Sequence, residues 1–286
     1  MTTAPANTTA PGSNPFFANV GQLNGASAVY LGNGWVMTAD HVAGSLPASV
    51  TFGGVSYATQ AGTWQQLNNP TGFGLTAKAD IVLFRLATSP SLTAPTLSGA
   101  PATPAEQIMM VGNGRLQENT LTTWHVTTGP GANDDVWTEG GTPTTNSGYK
   151  TTAIQQVSWG TNAVTNGPVA VNTGTFDTVS FYTTFDQTGG LAQEGQVVNG
   201  DSGGAAFFFN GTTWVLAGMT HAASSLENQP TVSGIPSSTA IYGDQSFFAD
   251  LSFYAPQINA IIAVPEASTV MCFGMIGGLA MLRRRR

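Results

Sequence analysis

The apolar runs of this chain are short, and most of them stop at a cluster of Gly, Pro, Asn or Thr. That punctuation suits strands joined by turns. Ala28-Val29-Tyr30-Leu31 and Trp35-Val36-Met37-Thr38 flank Gly32-Asn33-Gly34, and Asn-Gly between β-formers is a hairpin signal. Further strands are expected at Ser49–Phe52, Ile81–Leu86, Ile108–Val111, Gln155–Trp159, Thr178–Thr183, Ala205–Phe209, Trp214–Met219 and Thr239–Gly243. Many short strands with turn punctuation predict an all-β protein, built as barrels or a sandwich.

The 286 residues, 41% of them hydrophobic, suffice for one two-lobed domain or two small ones. Only 8% are charged, so solubility rests on uncharged polar groups, as in secreted, turn-rich β proteins. The net charge is −7, and Arg283 to Arg286 make up half of the eight basic residues. No basic patch can be assembled from Lys78, Arg85, Arg115 and Lys150, which excludes a nucleic-acid partner. The single cysteine, Cys272, lies in the C-terminal apolar segment. The body therefore has no disulfide and must be held by core packing.

Gly200-Asp201-Ser202-Gly203-Gly204 is the most chemically specific stretch. A nucleophilic serine needs an exposed Oγ and bare backbone N–H groups facing a developing oxyanion, and side chains are nearly absent here. Upstream lie Thr38-Ala39-Asp40-His41-Val42 and Asp80-Ile81-Val82-Leu83-Phe84-Arg85-Leu86. They supply a base and an orienter, in the order His, Asp, Ser. Neither Cys/His metal-ligand spacing nor a Gly-rich phosphate loop is present, so no metal and no cofactor is expected.

These blocks and their order resemble the trypsin/chymotrypsin-like serine proteases, over about Ala28 to Leu251. The resemblance implies two antiparallel Greek-key β-barrels and a closing C-terminal helix, with the cleft between the barrels. Residues 16–104 would form the first barrel, carrying His41 and Asp80. Residues 105–262 would form the second, carrying Ser202 and ending in a helix from Phe247 to Ile262. Ile108-Met109-Met110-Val111-Gly112-Asn113-Gly114 resembles the family's entry into its second barrel, with Asn113 where Trp is usual.

By the same resemblance His41 is general base and then general acid, Asp80 fixes its tautomer, and Ser202 is the nucleophile. The N–H groups of Gly200 and Ser202 form the oxyanion hole. Gln196, Thr220, His221 and Ala223 fall at the substrate pocket. Gln196 stands where trypsin-like enzymes place an aspartate, so a preference for Arg or Lys is not expected. His221 lies near the pocket histidine of glutamate-preferring relatives, which suggests an acidic substrate side chain; small or apolar ones compete with it. Asp40 stands where Ala is usual, and either raises the His41 pKa or points to solvent. No I-V-G-G activation sequence occurs near Val20, so Asp201 is expected to find a partner other than a new N-terminus.

Three segments lie outside this frame. Met1 to Pro15 are Thr/Ala/Pro/Asn-rich and read as a disordered tail. They lack the basic and apolar regions of a secretory signal. Thr127 to Lys150 is a Gly/Thr/Asn-rich insertion, either a plain surface loop or a cleft-flanking specificity or calcium loop. At the C-terminus Val264-Pro265-Glu266-Ala267-Ser268-Thr269 precedes the uncharged Val270 to Leu282 and then four arginines. This order resembles the PEP-CTERM sorting signal of Gram-negative bacteria, with Ala267 replacing the second proline. Residues 263–286 are thus expected to be a sorting tail with an apolar helix, passing through the membrane transiently and recognised by an exosortase-type enzyme.

The sequence therefore predicts an exported serine endopeptidase of the cell envelope or extracellular space, acting on protein or peptide substrates. The alternative is a protease-fold binding or matrix protein with little turnover; hydrolysis of esters is a third possibility.

Overall fold

The computed structural model describes residues 7 to 263, apart from 132, 173, 175, 176 and 235 to 238. Seven strands come first: β1 (Val20–Leu23), β2 (Ala26–Gly32), β3 (Trp35–Thr38), β4 (Ser49–Phe52), β5 (Val55–Ala58), β6 (Gln65–Asn68) and β7 (Lys78–Arg85). They form one antiparallel sheet in the order β5-β4-β1-β2-β3-β7-β6. A Thr59–Leu86 bridge and the Gln60 N–H to Arg85 carbonyl bond (2.7 Å) join the β5 end back to β7 and close the first barrel.

A crossing segment, β8 (Thr96–Leu97), pairs in parallel with a strand of the second barrel. Then follow β9 (Gln107–Gly112), β10 (Arg115–Gln117), β11 (Thr122–Thr127), β12 (Val136–Glu139), β13 (Asn146–Gln155), β14 (Ser158–Asn172), β15 (Asp177–Thr184), β16 (Ala205–Phe209), β17 (Trp214–Ala223), β18 (Thr239–Ile241) and β19 (Gln245–Asp250). The order β16-β9-β14-β15-β19-β17, with β16 also paired to β17, is a closed ring. Strands β10, β13, β11, β12 and β18 make a small separate sheet at its side. One helix, α1 (Ala255–Ile262), closes the described chain.

The apolar runs are continuous because central strands are buried on both faces. In β2, Ala28 and Tyr30 enter the first barrel's core, while Val29 and Leu31 join a second cluster. Strand β3 divides Val36 from Trp35 and Met37 in the same way, and β7 divides Val82 and Phe84 from Ile81 and Leu83. This is the period-2 geometry of a strand with no solvent face. The second cluster takes in Met109, Val111, Ala205, Phe207, Leu216 and Met219 from the other barrel. Each large side chain buried there contributes about 1.5–3 kcal/mol. The two lobes therefore share a core, and residues on facing strands keep a fixed separation.

Three expected elements differ. The run Gln155–Trp159 is not one strand: β13 ends at Gln155 and β14 begins at Ser158, because the chain leaves the small sheet there and joins β9 of the barrel. The closing helix does not begin at Phe247. Phe247 to Asp250 finish β19, paired with β15 and β17, and a 3-10 turn at Leu251–Phe253 leads into α1. Asp250 makes the switch, its carboxylate accepting the Ser252 N–H (3.1 Å) at the N-terminus of that turn.

The expected disordered tail also differs over its described part. Asn7 donates from Nδ2 to the Trp159 carbonyl (3.1 Å) and to Gln193 Oε1 (2.7 Å), and the Trp159 indole donates to the Thr9 carbonyl (2.9 Å). Asn14 is buried, and Phe16 stacks on Phe207 at 5.8 Å. Asn side chains that replace ladder partners hold this segment against the second barrel despite its composition. Residues 1–6 lie outside the described residues, as do residues 264–286 with the expected tail helix. Among the described residues no helix is long and apolar enough to cross a membrane.

Candidate active site

His41 follows β3 in a tight turn in which Val42 and Ala43 N–H groups donate to the Ala39 carbonyl (3.1 and 3.2 Å). Asp80 is the third residue of β7, the antiparallel neighbour of β3. The ladder therefore brings base and orienter together. His41 Nδ1 lies 2.7 Å from Asp80 Oδ2, and the His41 backbone N–H donates to Asp80 Oδ1 (3.0 Å). Asp80 has no exposed side-chain surface, whereas His41 keeps 42% of its own. A carboxylate beside Nδ1 places the ring proton there and leaves Nε2 as the basic nitrogen.

The hydrogen bond that His41 donates to Asp80 is the main cause raising the His41 pKa above 6.5; burial opposes it, and the nearby Asp40 carboxylate adds to it. Asp40 is itself buried. Its pKa is raised, first by burial and then by the charge of Asp80. Of the two readings of Asp40, the structure favours a carboxylate that acts on the ring rather than one turned to solvent.

Ser202 sits in the turn before β16. Within that turn the N–H groups of Asp201, Gly203 and Gly204 are spent, on the carbonyls of Val198 (3.0 Å), Thr220 (2.7 Å) and Asp201 (2.8 Å). Those of Gly200 and Ser202 have no acceptor among the described residues. Two unspent donors flanking Asp201, one of them on the serine itself, are the arrangement that binds an oxyanion. Gly200 has φ +96° and Gly203 φ +81°, left-handed values that a side chain would strain. A methyl at Gly203 would also overlap the Ser27 carbonyl and Thr38 Oγ1. Ser202 Oγ makes no hydrogen bond among the described residues, so the His41–Ser202 bond is not formed here. Such bonds are often long in the free enzyme and tighten around substrate.

Residues that the sequence reading missed clamp the two barrels at this point. Ser27 on β2 donates its N–H to the Ser202 carbonyl (2.9 Å) and its Oγ to the Gly200 carbonyl (2.9 Å). The Ser27 hydroxyl accepts from Asn113 N–H (2.7 Å), and its carbonyl accepts from Thr38 Oγ1 (2.7 Å). Across the same seam, Thr178 Oγ1 on β15 accepts the Asp80 N–H (3.2 Å). Short hydroxyl residues inside strands carry no sequence signal of such a role.

Asp201 is fully buried, which pushes its carboxyl up to about 6. Its Oδ2 accepts the Val198 N–H (2.9 Å), and it lies so close to Gly114 that no side chain fits at 114. The expected other partner is thus backbone.

A cavity of about 360 Å³ opens beside the nucleophile, lined by Ser202, Gln196, His221, Ala223, Gln229 and Asp244 among others. Thr220, expected in this wall, is not part of it: it is fully buried and its backbone holds Gly203 and Gly204. The Gln196 amide is pinned, donating to the Gln245 carbonyl (3.2 Å) and accepting from Ser246 Oγ (2.9 Å). His221 is the extra residue of a bulge, since Thr220 and Ala222 oppose the adjacent Phe248 and Phe247. Its Nε2 lies 2.8 Å from Ser180 Oγ, whose proton goes to the Thr178 carbonyl (3.1 Å). The ring therefore donates from Nε2. Burial lowers its pKa to about 4, so it is neutral near pH 7. Asp244 is buried in the same cavity and burial raises its carboxyl to about 6. The described residues contain no group of three or more His, Cys, Asp or Glu placed to hold a metal ion.

Two solved protease structures share this architecture. Neuropsin, a serine protease of mouse brain, superposes with a TM-score of 0.50 at 15% identity, over 89% of this chain and 97% of that one. Kallikrein-related peptidase 10 gives a TM-score of 0.50 at 16% identity, over 89% and 98%. At such identities these likenesses establish the trypsin-like β-barrel fold alone. No curated protein matches the sequence. The family model described as Trypsin matches residues 6–240, most of the chain, and this protein therefore belongs to the trypsin family of serine proteases.

Proposed function

We propose that this protein is a serine endopeptidase that cleaves peptide bonds through an acyl-enzyme on Ser202. The observation that carries the reading is the buried Asp80 carboxylate held on His41 Nδ1 at 2.7 Å, in a chain whose Ser202 turn leaves two N–H donors unspent. His41 Nε2 takes the Ser202 proton as Oγ attacks the carbonyl carbon. The oxyanion is held by the Gly200 and Ser202 N–H groups, each worth about 3–4 kcal/mol in the transition state. The imidazolium then returns the proton to the leaving amine, and water repeats the sequence to release the acyl group. Esters would be cleaved by the same steps.

Uncharged side chains suit the cavity best. Gln196 offers no charge in its lining, and His221 is neutral near pH 7. An acidic side chain would meet no cation among these residues and would share the cavity with Asp244. The test is labelling of the purified protein by a fluorophosphonate, beside Ser202→Ala. Labelling that vanishes in the variant supports the mechanism. A folded parent that does not label refutes it and favours the binding-module reading.

Export and sorting through residues 264–286 belong to the same proposal, supported by the order of a Pro-Glu motif, an uncharged stretch and four arginines. Intact-mass measurement of the protein from its native envelope fractions tests it: loss of the tail is expected, and a full-length product in the medium refutes it.

A further inference from the structure

The insertion at 127–150 is not a loose loop. Strands β11 and β12 pair from Trp124↔Glu139 to Thr127↔Val136, and β13 lies on the other side of β11. Trp137 meets Trp124 edge-on at 6.0 Å, which fixes the hairpin's orientation. Among the described residues, the tip of this hairpin reaches across to the segment 227–228. Asp134 N–H donates to Glu227 Oε1 (2.7 Å), and the Trp137 indole donates to the Glu227 carbonyl (2.8 Å). In return Asn228, at φ +51°, donates to the carbonyls of Asn133 (2.6 Å) and Asp135 (3.1 Å).

That segment interrupts the stretch 224–231, which walls the cavity beside Ser202. Ser224, Ser225, Gln229, Pro230 and Thr231 line the cavity, and Glu227 and Asn228 sit between them without lining it. Gln229 passes the connection inward. Its Oε1 accepts the Leu226 N–H (2.9 Å), and its Nε2 donates to Asp244 Oδ2 (2.9 Å) and to the Thr239 carbonyl (3.1 Å). The wall's far end is also tied to the insertion, because β13 pairs with β18 from Gly148↔Ile241 to Lys150↔Thr239, and Thr239 lines the cavity. Gly148 makes that pairing possible, since any side chain there would overlap the β18 backbone.

We infer that the inserted sheet is the brace of the substrate pocket, and that Glu227 is the positioning residue through which the β11–β12 hairpin sets the pocket wall. The inference rests on the proposed peptidase reading for its substrate consequence, but the brace itself does not. Sequence and catalytic turn fix where the bond is cut; the hairpin fixes which side chain fits beside it. Glu227 touches neither Ser202 nor the cavity, so its effect appears in substrate binding rather than in the chemical step.

The test compares full-length parent, Glu227→Ala and Glu227→Gln by two readouts. Hydrogen exchange of amides 224–231 should speed up at least about tenfold in Glu227→Ala, the loss expected for one bond to a carboxylate, and return toward the parent in Glu227→Gln, which keeps the acceptor. Profiling with peptides that differ only in the residue before the cut should show KM raised about tenfold in Glu227→Ala for side chains that fill the pocket. For these substrates kcat should stay within about threefold, and glycine there should show no change in KM. Unchanged exchange in Glu227→Ala overturns the brace. Faster exchange with an unchanged profile, or an equal loss on every substrate including glycine, overturns its role in selectivity. If the parent fails to react with a fluorophosphonate, the peptidase reading falls while the exchange data still decide the brace.

Discussion

Replacing Asp80 by Asn tests the reasoning about the base most directly. Asp80 is fully buried and uses both oxygens on one residue, accepting His41 Nδ1–H at 2.7 Å and the His41 backbone N–H at 3.0 Å. Asparagine has the same shape but one acceptor and one NH2 group. If its oxygen faces the backbone N–H, its NH2 faces Nδ1, and the ring must move its proton to Nε2. That nitrogen is the one needed to accept the Ser202 proton. If its oxygen stays at Nδ1, the NH2 abuts the His41 N–H, and two buried donors oppose each other at a cost of about 1–3 kcal/mol. The first arrangement wins, and with it the base is lost. Holding the wrong tautomer costs about 10⁴ in kcat, or about 5.5 kcal/mol of transition-state stabilisation. The assay is kcat on one good peptide substrate together with the rate of fluorophosphonate labelling, with Tm recorded to exclude unfolding. Activity within tenfold of the parent at an unchanged Tm would refute the assignment of Asp80 as the orienter.

Three further outcomes are expected. Because Asp80 and Asp40 both raise the His41 pKa and catalysis needs the neutral ring, the acid limb of kcat/KM lies above pH 6.5. Asp40→Asn should move that limb to lower pH, and an unmoved limb would show that Asp40 does not act on the ring. Gly114→Ala places a methyl on the buried Asp201 carboxyl, so it should cost about 2 kcal/mol, roughly 6 °C in Tm, and slow labelling of Ser202; a parent-like Tm would contradict the contact. Burial raises the Glu194 carboxyl from 4.5 to about 6. An acid raised on folding binds its proton more tightly in the native state, so the contribution of Glu194 to stability is full below about pH 4.5 and is lost as pH rises through 6. Denaturant unfolding at pH 4 and pH 7.5 should show a smaller decline in Glu194→Gln than in the parent, the remainder coming from the buried Asp201 and Asp244 carboxyls, and an equal decline in both would contradict the assignment.

The chemistry was legible from the chain because catalysis demands rare residue types in tight local contexts. His41 is one of three histidines and Ser202 lies among glycines, so little else could occupy those patterns. The strands were legible for a related reason: a run such as Ile81-Val82-Leu83-Phe84 must be buried on both faces, and a two-lobed barrel core supplies both. Local text failed where the same residues suit two states. Phe247-Phe248-Ala249 reads as helix or strand, and its pairing with β15 and β17 made it strand. Thr, Asn and Gly in 7–14 and 127–150 read as loose chain, yet their backbone and side-chain groups found partners far along the sequence.

What the sequence alone determined is therefore the set of reacting groups and the alternation that builds two barrels. Only the tertiary structure decided how those groups are held. Ser27 ties the Ser202 turn to the first barrel, Thr178 supports Asp80 from the second, and an inserted sheet meets the pocket wall through Glu227. Each of these contacts joins residues 90 or more positions apart. Hydrogen bonds over such separations depend on the packing of whole strands, and the residues that make them are the common hydroxyls and carboxylates that any polar loop contains.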